Sequence, residues 1–183
     1  AYELAVPARF GDALIRSLMA AGAEYDVVPY GTEALGVLRV EKGHAAGAEL
    51  NGTTTSLNLG LGRMVSKKKD FIGATLSRRD GLNGEDQLTL VGFQPVSKGD
   101  FIVSGMHLMN NEAPTDAAND QGYLTSAIHS PNLGHSIGLG FLKNGHDRLG
   151  ETLRAVNPLE GGEVAVEVLS PHFIDPEGER LRD

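Results

Sequence analysis

Gly31-Thr32-Glu33-Ala34-Leu35-Gly36-Val37-Leu38-Arg39-Val40-Glu41-Lys42-Gly43-His44 is the stretch from which the rest of the chain is best read. Thr32 is a good N-cap, and Ala34, Val37, Leu38 and Glu41 follow the i, i+3, i+4, i+7 spacing of one helical face. Gly43 is the expected C-cap glycine. The spacing therefore predicts a short amphipathic helix whose apolar face ends in an acid. Glu41 sits in the last turn, where the helix dipole disfavours a carboxylate. Either that acid frays into solvent, or it is buried and needs a partner that donates hydrogen bonds.

Upstream, Tyr2–Val6 alternates like a strand, and Pro7 stands where a first-turn proline opens a helix. Phe10, Leu14, Ile15, Leu18 and Met19 make that helix's stripe, with Gly22 at its end. Downstream, residues 45–58 are rich in Gly, Asn and Thr and read as a loop, and 71–79 reads as a third helix. Residues 81–86 form a polar break, so the expected domains are 1–80 and 86–183. After the break come short apolar segments: Leu88–Phe93, Phe101–Leu108, Tyr123–His129, Ile137–Leu142, Thr152–Val156 and Val164–Leu169. The expected class is α+β, with a small antiparallel β-barrel or jelly-roll-like domain in the second half.

Composition narrows the function. A net charge of −8 argues against a general nucleic-acid binder. No apolar run approaches the length of a membrane span. With no cysteine, disulfides, thiol catalysis and iron–sulfur clusters are excluded, as a reducing cytoplasm would allow. The six histidines show no helical pairing with acids, so no metal site is expected. Gly60-x-Gly62 and Gly138-x-Gly140 lack the third glycine and the strand–turn–helix setting of a dinucleotide fingerprint. His107 shares its alternation with Phe101 and Val103 and is expected in the core. The chain opens directly in a strand-like segment without an initiator Met, which suggests an upstream portion of a larger polypeptide.

At this point the order of segments resembles a known family. Arg39-Val40-Glu41-Lys42-Gly43 is similar to the Arg-x-Glu-x-Gly element of the glycine-cleavage T-protein (aminomethyltransferase) superfamily. Leu59–Val65 followed by Lys68-Lys69-Asp70-Phe71-Ile72-Gly73 resembles its next signature. Thr125-Ser126, Ser130-Pro131 and Ile137-Gly138-Leu139-Gly140 resemble its C-terminal barrel. Within the superfamily, Glu41-Lys42-Gly43-His44 and the ending Ser170–Gly178 look most like the α subunits of heterotetrameric sarcosine oxidases. Lys42 stands where the glycine-cleavage enzymes usually carry Ala.

The resemblance implies the second half of a folate-binding domain followed by the barrel. It implies that Glu41 holds the pterin of tetrahydrofolate, whose adjacent ring N–H and NH₂ suit a bidentate carboxylate. Tyr2 and Glu3 match an aromatic–Glu pair near that pocket, and Lys69, in the only basic triplet, matches a basic residue suited to folate's anionic tail. The family's catalytic Asp has no counterpart and would precede residue 1, so no catalytic residue is assigned. FAD and NAD are expected elsewhere in the parent complex, on segments or subunits other than this chain. The implied function is capture of the one-carbon unit from sarcosine oxidation as methylenetetrahydrofolate, in the company of other oxidase subunits. The alternatives are an aminomethyltransferase of glycine cleavage and a non-catalytic structural or interaction module.

Overall fold

In the computed structural model, which describes residues 2–84 and 86–182, the run Ile137-Gly138-Leu139-Gly140-Phe141-Leu142 is buried on both faces. It lies in β4 (His135–Lys143) of a closed antiparallel barrel. The other strands are β1 (Leu88–Pro95), β2 (His107–Met109), β3 (Asp120–Ser130), β5 (Thr152–Val156) and β6 (Glu163–Leu169). Around the barrel the order is β1-β4-β3-β2-β5-β6, and β1 pairs with β6 to close it. Closure leaves no edge strand, whereas a jelly roll would have kept two separate sheets.

Alternation along the strands sorts two apolar layers. Val91, Phe93, Leu108, Leu124, Leu142, Leu153, Val166 and Val168 meet inside the barrel. Leu90, Ile137, Leu139 and Phe141 point the other way and pack with Val40, Ala45, Leu59 and Phe173. The wall formed by β1 and β4 is thus covered from outside, and for that reason β4 carries apolar side chains on both faces.

The glycines of β4 have a steric purpose. A Cβ on Gly140 would stand 2.5 Å from the Tyr123 carbonyl oxygen and 3.0 Å from Phe93 Cε2. A Cβ on Gly138 would stand 2.8 Å from the Ser126 carbonyl oxygen and 3.1 Å from Ile102 Cδ1. They make room for cross-strand backbone and for Phe93 inside the barrel.

The chain divides into two compact units, Ala1–Leu35 and Gly36–Asp183. In the first, α1 (Gly11–Gly22) follows a short 3₁₀ turn opened by Pro7. Its stripe is only partly covered, with Leu14 and Met19 half-buried and Phe10, Ile15 and Leu18 exposed. The expected strand at Tyr2–Val6 is absent: the segment is exposed and carries no strand ladder. Residues 71–79 do not form a helix but turns ending in the 3₁₀ pieces Leu76–Arg78 and Asp80–Leu82. Gly73 (φ +93°) interrupts any helical run there. The strand expected over Phe101–Leu108 shrinks to β2, since Gly105 (φ +87°) turns the chain just before it.

Gly140→Ala is expected to lower unfolding stability by about 1–3 kcal/mol through overpacking. Gly36→Ala, where nothing lies within 4 Å of the added carbon, is expected to be neutral or to stabilise by up to ~1 kcal/mol. Urea unfolding of the two variants checks both signs.

Candidate functional site

α2 (Thr32–Lys42) ends as its sequence predicts, at Gly43 with φ +76°. The amides of Gly43 and His44 return to the Val40 and Arg39 carbonyls at 3.0 and 2.8 Å. The orphan carbonyls of the last turn are met by the chain's tail. Phe173 N–H and Ile174 N–H both donate to the Glu41 carbonyl at 3.0 Å. His172 Nδ1 lies 2.9 Å from the Lys42 carbonyl, which only accepts, so Nδ1 carries the proton. Lys42 Nζ donates to the Asp175 carbonyl and lies 3.3 Å from its Oδ2. Partial burial pushes the Asp175 carboxyl up, but the Glu179 amide and Lys42 outweigh this and hold it below the ordinary range. Gly43 is also required sterically, since a Cβ there would collide with the Pro171 carbonyl.

Glu41 is buried, as its helical position implies, at 2% exposure. Val40 is buried beside it and Val37 half-buried, while Ala34 and Leu38 of the expected face are exposed. The donors that a buried carboxylate needs come from the turn between β3 and β4. Ser130 Oγ donates to Oε1 at 2.5 Å, and Asn132 Nδ2 to Oε2 at 2.9 Å. Each charge-assisted bond of this kind contributes about 1.5–3 kcal/mol. A carboxylate has roughly four lone-pair sites, so each oxygen keeps one. Glu41 also lines a cavity of about 290 Å³ shared with Lys42, His44, Asn132, Ile174 and Arg180.

A second buried acid escaped sequence reading. Glu49 is fully buried, at the end of the 3₁₀ turn Gly47–Glu49. Its Oε2 receives Arg39 Nη1 and the Ala46 amide, each at 2.9 Å, and its Oε1 receives Thr125 Oγ1 at 2.5 Å and Ser126 Oγ at 2.6 Å. Arg39 also donates to Ser126 Oγ at 2.7 Å. Burial pushes the Glu49 carboxyl up, but the bonds from Ser126, Thr125 and Ala46, with the Arg39 charge, hold it below the usual 4.5. The Gly-rich loop around Glu49 has no period that would have marked it as buried. The only signal was Arg39 itself, whose charge on a half-buried helix face needed a counter-ion.

Tyr2 is 97% exposed and Glu3 is exposed, both in the first compact unit. Lys69 lies on the exposed turn after Ser66, outside the lining of the Glu41 cavity. His107 is not in the core: its Nδ1 pairs with Asp120 Oδ2 at 2.8 Å, and its former neighbours Phe101 and Val103 are exposed because β2 begins only at His107. No cluster suited to a metal occurs among the described residues, and no helix there is long and apolar enough to cross a membrane.

Residues 1–69 match the GCVT N-terminal domain, and residues 89–175 match the glycine cleavage T-protein C-terminal barrel domain. The chain belongs to the glycine cleavage T-protein family. Its six-stranded barrel is that family's C-terminal barrel, and Glu41 and Glu49 fall in the segment matched to its N-terminal domain. The chain is 41% identical over 182 residues to the sarcosine oxidase subunit alpha of Rhizobium meliloti (strain 1021). It is 39% identical over 184 residues to the subunit of the same name in Corynebacterium sp. (strain U-96). These alignments take in 99% and 98% of the chain but 18% and 19% of the relatives, so the chain spans about a fifth of their length. A solved glycine cleavage system aminomethyltransferase T from Bartonella henselae shares the fold, with a TM-score of 0.74 over 93% of this chain and 45% of that one, at 24% identity.

Glu49→Gln leaves Arg39 without its counter-charge and is expected to destabilise the protein by about 3 kcal/mol near neutrality. A lowered folded-state pKa makes the carboxylate's contribution full above 4.5 and lost as pH falls through the folded value. The stability gap between wild type and variant should therefore narrow on acidification below 4.5. A gap in urea unfolding that stays constant with pH would contradict the assignment.

Proposed function

We propose that this chain is a tetrahydrofolate-binding portion of a sarcosine oxidase α subunit. In this reading it takes up the one-carbon unit from sarcosine oxidation as methylenetetrahydrofolate, with other oxidase subunits as partners. The observation that carries the reading is Glu41: a buried carboxylate with one free lone pair on each oxygen, lining a cavity of about 290 Å³. That volume is near the lower bound of small-molecule pockets. It suits a bicyclic ring with the rest of the molecule outside.

The residues present fit such a group. Glu41 accepts from the pterin's paired N–H donors, and Asn132 beside it offers a polar rim. Bound tetrahydrofolate supplies the nucleophilic nitrogen that receives the carbon. The chain's own contribution is orientation, through a carboxylate whose rotamer is locked by Ser130 and whose helix end is held by the tail. Tyr2, Glu3 and Lys69 are proposed as outlying contacts, Lys69 for the anionic tail. The folate-binding and barrel domains are taken as 1–80 and 86–183, and the two family matches fall on either side of that boundary. FAD and NAD belong, in this reading, to other segments of the oxidase, and the absence of cysteine suits a cytoplasmic setting.

A second reading is favoured by one observation. Both oxygens of Glu41 already accept from Ser130 and Asn132, so Glu41 serves equally well as a structural tie between α2 and the barrel. Calorimetric titration with tetrahydrofolate separates the two. If Glu41 holds the pterin, Glu41→Gln weakens binding at least tenfold, about 1.4 kcal/mol, while Asn132→Ala leaves it within a few-fold. If Glu41 is only a tie, both variants lose stability and a folded Glu41→Gln protein binds as the wild type does.

A further inference from the structure

A cavity of about 590 Å³ has no part in the folate reading. It lies over the outer apolar layer, with Leu59 and Leu90 in its wall and Leu61 at its side. Three imidazoles from separated segments reach it: His44 after the α2 cap, His146 in the 3₁₀ helix Gly145–Arg148, and His172 in the tail. They are the only titratable side chains in its lining. In a chain with 24 acidic residues, none faces this space among the described residues.

We propose that this cavity binds a small organic monocarboxylate with an apolar, ring-sized body. The volume is in the usual range for small-molecule sites, and the leucines supply the apolar contact. His172 is pinned through Nδ1 by the Lys42 carbonyl, so Nε2 is its one free polar atom. The imidazoles of His44 and His146 hydrogen-bond to no other group among the described residues. A cation would meet no opposite charge here, and the three rings do not form a metal site. A carboxylate accepts hydrogen bonds from the imidazole N–H donors of His44 and His146. His44 also lines the Glu41 cavity, so the two spaces adjoin, but the proposal does not rest on folate binding.

The test is calorimetry on the intact protein that carries this chain, with naphthoate as the probe. Binding at one site is expected. The double variant His44→Ala/His146→Ala should weaken binding about tenfold, as should replacing naphthoate by the neutral naphthalenemethanol. Leu61→Trp, which fills the cavity, should abolish binding. Both histidines are exposed, so the double variant should unfold at the wild-type temperature. Naphthoate that does not bind, or that binds the double variant as tightly as wild type, overturns the proposal. So does a neutral alcohol that binds as tightly as the acid. Glu41→Gln should leave naphthoate binding unchanged, which keeps the outcome separate from that of the folate titration.

Discussion

Burying a carboxylate beside an apolar layer is costly unless every strong acceptor finds a donor. In this chain that constraint operates twice within one short segment. Glu41 is held by Ser130 and Asn132, and Glu49 by Arg39, Thr125, Ser126 and the Ala46 amide. Both acids reach the same strand of the barrel, β3, or the turn that follows it. They fix where α2 and the loop after it lie on the barrel wall, and hydrophobic contact from Val40, Ala45 and Leu59 fills the space between. Apolar packing alone is non-directional; the hydrogen bonds supply the register.

The tail completes the arrangement from the other side. Glu41 presents its side chain to the β3–β4 turn and its carbonyl to Phe173 and Ile174, so one residue joins helix, barrel and tail. Gly43 permits this because a side chain there would strike the Pro171 carbonyl. The two cavities beside the α2 end, one lined by Glu41 and one by His146 and His172, lie where helix end, barrel and tail come together. Any ligand that uses them reads a surface assembled from segments remote in sequence.

Much of the barrel was legible. Thr152–Val156 was read with its observed bounds, and β1, β3, β4 and β6 to within a few residues, because period-two alternation bounded by turn residues is a strong local signal. The burial of Glu41 also followed from helical spacing. The failures have a common origin in missing neighbours. Tyr2–Val6 alternates like a strand, but a strand requires a partner for its backbone groups. Phe101–Leu108 lost its first part to a glycine turn, and with it the reason for placing His107 in the core. The candidate site was legible only on its helix side. Thr125, Ser126 and Ser130 were noticed through a resemblance, without any indication that they bind the two acids.

By itself, the sequence determined the number and period of the barrel strands, the extent of α2 and its glycine cap, and the membership that Arg39-x-Glu41-x-Gly43 announced. These are local properties, set by spacing and by steric limits within a few residues. Tertiary structure alone decided who satisfies Glu41 and Glu49, since their partners lie 89 and 91 residues away for the first and 76 and 77 away for the hydroxyl donors of the second. It also decided that three scattered histidines share one cavity. A hydrogen bond acts over about 3 Å, and nothing in a linear pattern records which distant donors the closing barrel brings within that reach.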